Sequence, residues 1–183
     1  MTVLEFFATL CGLIYLGFIS IHKRIGWLFG CVSSGIYIFL CWNQSLFIQA
    51  VLQFLYVILG VVGFLNWNKN VQMLIHRVSL KSQVAVIIFG IIFSLFLGKL
   101  MSMTNQQLPY LDATVSIFSI LATLLATRSI LENWLYWIFC NSLAIVLFAV
   151  QGLQITTFLY VIYLLGSFFG YHNWRKMLKI QSN

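Results

Sequence analysis

Residues 63–69 read GFLNWNK and residues 170–176 read GYHNWRK. Glycine, asparagine, tryptophan and lysine recur at matching places, 107 positions apart. Holding that offset and working outward aligns residues 4–69 with 111–176 without a gap. Seven Leu or Ile pairs coincide, and so do Trp27/Trp134, Gln44/Gln151, Tyr56/Tyr163, Gly63/Gly170, Asn66/Asn173, Trp67/Trp174 and Lys69/Lys176. Four of the six tryptophans in the chain pair at this one offset. The chain is an internal duplication, and each copy ends on the same Asn-Trp signature.

The composition fixes the solvent of that duplicated unit. Of 183 residues, 62% are apolar, 7% are charged and one is proline, against about 25% charged in a soluble domain. A soluble fold of this size cannot hide so much apolar surface. Ten Lys and Arg facing three acids are too sparse for a nucleic-acid patch, and the apolar fraction excludes disorder. The chain reads as an all-α integral membrane protein, in a single transmembrane domain over residues 1–183.

A crossing helix needs about 20 mostly apolar residues. Such runs lie at about 3–21, 26–42, 46–66, 83–101, 110–127, 134–150 and 153–172. They are continuously apolar and do not alternate, which excludes a β-barrel. The first begins MTVLEFF, with no basic leader and no cleavage pattern, and is kept as a span. Seven spans with the duplication give a 3+1+3 plan: repeat one at about 4–69, a linker helix at about 83–101, repeat two at about 111–176. One linker crossing sets both repeats in the same direction, making them parallel, the SWEET-like arrangement, with a solute expected between the halves near the midplane. Lys23, Arg24, Lys69, Arg77, Lys81, Arg128, Arg175, Lys176 and Lys179 fall on one side and only Lys99 on the other. The positive-inside rule then puts the N-terminus outside and the C-terminus in the cytoplasm.

Polar groups inside a bilayer are costly, and those that packing does not explain are candidates for function. In the third span Gln49, Gln53, Tyr56, Gly60 and Gly63 share a helical face. The offset maps them onto Thr156, Tyr160, Tyr163, Ser167 and Gly170. The outer small residues read as close-packing positions, while Gln53 and Tyr56 read as pocket-lining. In the sixth span Trp134, Trp137 and Asn141 again share a face. Two indoles above an amide suit a flat, cationic solute that carries an amide. Trp27, Trp67 and Trp174 stand at span ends and read as interfacial anchors. Candidate binding residues are therefore Trp134, Trp137, Asn141, Gln53, Gln49, Tyr56, Tyr160 and Tyr163.

Glu5, Asp112 and Glu132 stand at span ends, and His22, His76 and His172 at the cytoplasmic edge. With no carboxylate or His at mid-membrane, the chain reads as a facilitator rather than a proton-coupled carrier. No nucleophile-base pair, metal cluster or phosphate loop is visible. No cofactor is expected, and a membrane enzyme or assembly factor is a remote alternative. Cys11, Cys31, Cys41 and Cys140 lack metal-ligand spacing and read as packing residues.

LPYLDA at 108–113, ATRSILENWLYWIFCN at 126–141, VQGL at 150–153 and YHNWRK at 171–176 closely resemble the Pnu family of bacterial vitamin transporters. SLFIQAVLQFLY at 45–56 and GFLNW at 63–67 extend the likeness to nearly the whole chain, which is most similar to the PnuC branch that carries nicotinamide riboside. The resemblance implies a seven-helix core, facilitated diffusion across the bacterial inner membrane, a homotrimer, and trapping of the riboside by a cytoplasmic kinase. It also implies substrate contacts at Trp134, Trp137, Asn141 and Gln53. Thiamine and riboflavin carriers share the scaffold, so thiamine or another vitamin is the alternative substrate.

Overall fold

The computed structural model describes residues 3–43, 47–67, 74–104 and 107–181. Seven helices follow in order: α1 (Val3–Ser20), α2 (Gly26–Asn43), α3 (Phe47–Asn66), α4 (Leu80–Met101), α5 (Pro109–Thr127), α6 (Asn133–Val150) and α7 (Gln154–Gln181). All seven are long and apolar enough to cross a membrane. The span boundaries read from sequence hold closely except at the end of α7. No glycine or proline follows Gly170, so the helix continues past the apolar run to Gln181. Its 28 residues extend about 42 Å, and its polar last turns project beyond a hydrocarbon core about 30 Å thick.

The helices close into a ring. Neighbours pack in the order α1, α2, α3, α5, α6, α7 and back to α1, while α4 lies outside against α5 alone. In this ring α1 stands opposite α5, α2 opposite α6 and α3 opposite α7. The seams α3/α5 and α7/α1 are built from equivalent bonds. Asn66 Nδ2 donates to Thr127 O (3.3 Å) and Trp67 Nε1 to Ala126 O (3.2 Å). At the same offset, Asn173 Nδ2 donates to Ser20 O (2.9 Å) and Trp174 Nε1 to Ile19 O (2.9 Å). The last carbonyls of a helix lack intrahelical partners, and here each repeat supplies the other's. Lys69, Gln44 and Leu46 of the duplicated pairs lie outside the described residues.

These bonds overturn the interfacial-anchor reading. Trp27, Trp67 and Trp174 are 1%, 4% and 0% exposed and form one core with Trp134. Trp67 meets Trp27 edge-on at 5.4 Å, Trp174 meets Trp134 edge-on at 5.6 Å, and Trp67 and Trp174 meet at 5.8 Å. Position near a span end did not decide their role, because each indole N–H of the Asn-Trp pairs had a carbonyl of the facing repeat to reach. Gly63 and Gly170 are packing positions, as expected: a Cβ on Gly63 would strike the Trp27 ring, and one on Gly170 the Trp134 ring.

The segment preceding α4 straps this end of the ring. His76 N donates to Ser129 O (3.2 Å) and Leu131 N to His76 O (3.0 Å). Ile75 is buried in the tryptophan core. Buried Glu132 accepts from Arg77 Nε (2.9 Å) and Val78 N (3.2 Å). Ser79 then caps α4 through Ser82 N (3.2 Å).

Gly170→Ala forces the Trp134 ring out of place and is expected to lower stability by about 1–3 kcal/mol. Gly35→Ala, where a Cβ meets nothing within 4 Å, should be neutral or stabilising by up to about 1 kcal/mol. Thermal melting of the two variants in the same detergent checks the contrast.

Candidate functional site

Polar and aromatic side chains from all six ring helices converge, which places them in the middle of the ring. Tyr56 of α3 is within hydrogen-bond reach of Ser119 on α5 and in electrostatic reach of Tyr160, Cys140 and Tyr15. Tyr163 of α7 is in reach of Tyr160, Tyr37 and Tyr15. Tyr160 and Tyr163 meet edge-on at 5.7 Å, and Phe148 stacks on Tyr160 at 5.0 Å. Tyr37 of α2 shares a 2.9 Å hydrogen bond with Thr9 of α1. The duplication is visible in detail: Tyr56 faces Ser119, while its counterpart Tyr163 brings its hydroxyl against Gly12, the counterpart of Ser119. A Cβ on Gly12 would stand 2.7 Å from that hydroxyl.

The sixth-helix constellation divides by depth. Trp134 is wholly buried beneath Gly170 in the tryptophan core, and its indole N–H has no hydrogen-bond partner. Trp137 is half-buried and packs against both apolar clusters, the tryptophan core and the one around Phe118 and Tyr136. Asn141 is 3% exposed. Its Nδ2 donates to Ser167 Oγ at 3.0 Å, and Ser167 Oγ donates to Tyr163 O at 2.8 Å. Ser167 therefore orients the amide. Gln53 and Gln49 are half-buried on α3, one and two turns from Tyr56 on its face.

Tyr15, Tyr37 and Ser119 escaped the sequence reading, while Cys140, read there as a packing residue, is buried in the cluster around Phe118 and Tyr136. Tyr15 had a signal in the duplication itself. Trp137 corresponds to Gly30, and the Tyr15 ring fills the space over Gly30, 2.8 Å from where a Cβ would stand. The counterpart of Tyr15 is Ala122, which is fully buried. Each half thus sets one aromatic ring at the equivalent place, from α1 in the first and from α6 in the second. Both rings pack on the tryptophan core.

Charge is confined to the two ends. Glu5 lies in the first turn of α1 and Asp112, its counterpart, in the first turn of α5. Glu5 is in electrostatic reach of Tyr37, and Asp112 of Tyr160. At the opposite end Arg24 Nε donates to Phe64 O (2.6 Å) and its guanidinium lies 3.7 Å from the Phe64 ring centroid, on the ring wall. Among the described residues no group of His, Cys, Asp and Glu could hold a metal ion. The interior offers π faces, amides and hydroxyls, and no Lys or Arg stands among the side chains that meet there.

The family model described as nicotinamide mononucleotide transporter matches residues 2–176. Similar relatives are the nicotinamide riboside transporters PnuC of Neisseria mucosa (26% identity, 96% of this chain, 73% of the relative) and Escherichia coli (24%, 87%, 79%). That of Haemophilus influenzae is 25% identical over 92% of this chain and 77% of its own. The fold is similar to the crystal structure of the Vitamin B3 transporter PnuC, at TM-score 0.78 and 25% identity, covering 96% of this chain and 82% of that one. The relatives are transporters and none is an enzyme. By its match over residues 2–176, the chain belongs to the nicotinamide mononucleotide transporter family.

Proposed function

We propose that this chain carries nicotinamide riboside across the bacterial inner membrane by facilitated diffusion, through the centre of the six-helix ring. The observation that carries the reading is the chemistry of the interior: aromatic faces, amides and hydroxyls from six helices, with no cationic side chain among the described residues. The family description names a mononucleotide and the curated relatives a riboside, and electrostatics separates the two. A phosphate dianion stripped of water needs Arg, Lys or a metal. Among the described residues no Lys or Arg lines the interior and no group of His, Cys, Asp and Glu could hold a metal there, and the two acids at one end would repel the phosphate. A pyridinium riboside is a cation with a carboxamide and hydroxyls. Tyr15 and Trp137 suit its flat charged ring. Asn141 and Gln53 have both donors and acceptors for the carboxamide, Trp134 an unused N–H, and Gln49, Tyr56, Tyr160 and Tyr163 partners for the ribose.

The same reading sets the chain in the bilayer. Repeat one (about 4–69) and repeat two (about 111–176) form one transmembrane domain joined by α4. The end carrying nine of ten Lys and Arg faces the cytoplasm, and Glu5 and Asp112 mark the outer mouth. α4, apolar and outside the ring, leaves the transport path to the repeats, and three copies assemble as a homotrimer. With the carboxylates and histidines at the ends of the path rather than its middle, the solute moves down its own gradient.

In proteoliposomes, labelled nicotinamide riboside should enter saturably, at a rate indifferent to an imposed pH gradient. The mononucleotide and thiamine should compete weakly. Entry of thiamine instead, or accumulation driven by protons, would overturn the substrate or the mechanism respectively.

Asn141→Ala removes a buried amide, and Trp137→Ala a π face. Each is expected to weaken riboside binding by about 1–3 kcal/mol, roughly 10- to 100-fold, and Trp137→Ala also to lower the melting temperature through its lost packing on both apolar clusters. Tyr15→Ala should lose roughly tenfold and Tyr15→Phe little, since the π face is kept. Titration calorimetry on the purified variants reads all four; unchanged affinity in Tyr15→Ala would remove it from the pocket wall.

A further inference from the structure

His22 and Ser129 occupy the same position in the two repeats, and both have left-handed backbone, with φ of 57° and 53°. Such a conformation is costly for a non-glycine residue unless the surroundings fix it. Here the two side chains meet: His22 Nε2 and Ser129 Oγ are 2.9 Å apart. His22 ends the turn after α1, and Ser129 the turn after α5. Those helices face each other across the ring and do not pack together. A hydrogen bond between their end turns therefore crosses the lumen, whereas the Asn-Trp bonds run along the wall seams.

The other pair of facing helices also meets at this end. Trp67 closes α3, Trp174 lies on α7, and their rings are 5.8 Å apart. His22 covers both, 4.2 Å from Trp67 and 5.0 Å from Trp174. Two equivalent positions on a local two-fold axis compete for one space. A large residue opposite a small one fills it, where two histidines would collide and two serines would leave a gap. Burial lowers the His22 pKa to about 4, so the imidazole is neutral at physiological pH and pairs with the hydroxyl as a neutral group. Ser129 is anchored from behind, its carbonyl accepting from His76 of the strap.

We propose that His22 and Ser129 form the latch of the cytoplasmic gate, whose release, with separation of Trp67 from Trp174, opens the ring to the cytoplasm. The inference rests on the carrier reading and its orientation, and assigns the gate that reading requires. The wall bonds of Asn66, Trp67, Asn173 and Trp174 to the facing repeat can persist while the two end turns part, so one cross-lumen hydrogen bond and the contacts of Trp67 with Trp174 and His22 separate closed from open.

Cys140 lies in the ring interior beside Ser119 and is 1% exposed, which makes it a reporter of lumen opening. In a chain with Cys11, Cys31 and Cys41 replaced by alanine, a membrane-impermeant maleimide is applied to either face of oriented vesicles. Ser129→Gly removes the hydroxyl and keeps a backbone that favours φ near 53°, so it tests the latch without straining the turn; His22→Ala tests the other partner. Both should speed Cys140 labelling from the cytoplasmic face roughly tenfold, about the effect of one lost hydrogen bond on the open population, and leave the outer face unchanged. Equal rates in latched and unlatched chains would overturn the proposal. So would equal acceleration from both faces, which signals general loosening. The labelling requires no riboside, so failure of riboside uptake in the parent would sink the substrate reading and leave this result standing.

Discussion

The structure depends on where the last carbonyls of α1 and α5 go. A helix end leaves carbonyls without intrahelical partners, and near hydrocarbon an unsatisfied polar group costs several kcal/mol. Glycine and polar side chains within the same turn are the usual remedy. Here Ile19 O and Ala126 O accept from His22 N and Ser129 N of their own turns, and the other repeat adds donors: Asn66 and Trp67 reach Thr127 and Ala126, and Asn173 and Trp174 reach Ser20 and Ile19. Each repeat thus ties the end of its first helix to the third helix of its partner. The six helices consequently close into a ring with an interior, where two separate three-helix bundles would enclose none. The seam indoles also bring Trp27 and Trp134 onto Gly63 and Gly170, so the four tryptophans form the floor of that interior.

A ring lined from six helices has then to hold its solute without formal charge. In a low-dielectric interior a lone ionised side chain is expensive. Aromatic faces attract a cation through the ring quadrupole at little desolvation cost. The acids at one mouth favour a cation on approach, and the basic residues at the other end lie on wall, strap and tail. Recognition and ease of release are thereby reconciled, because no buried ion pair has to be broken when the solute leaves.

Much of this was legible in the chain. The apolar runs gave the helices, because hydropathy rests on local composition, and the 107-residue offset pointed to the matching seam bonds of Asn66 and Trp67 with Asn173 and Trp174. The pairing of Gly63 with Gly170 as packing sites followed from helix-face geometry. What was not legible was which helix faces which. Trp27, Trp67 and Trp174 stand near span ends, as interfacial anchors do, and only the exchange of helix ends between repeats buries them. The terminal turns of α7 were missed because hydropathy reports what lies in lipid rather than what is helical. Tyr15 was missed because its significance lies in filling the place over Gly30 that Trp137 fills in the other half. A residue-by-residue comparison matches Tyr15 with Ala122 and hides that exchange.

The scaffold is nearly two-fold symmetric, and its contents are not. A solute on a two-fold axis would meet equivalent groups on both sides if the lining obeyed the symmetry, yet a pyridinium riboside has a carboxamide at one side and a sugar at the other. Asn141 stands where the first half has Ser34, Ser167 where it has Gly60, and Tyr160 where it has Gln53. The amide and hydroxyl groups are thus differently placed in the two halves, while the aromatic walls stay balanced through Tyr15 and Trp137. His22 opposite Ser129 breaks the symmetry once more at the axis. Duplication supplies helix ends that bond to each other and a ring that closes; on the proposed binding mode, divergence at these few positions is what would let the ring distinguish the two ends of its solute.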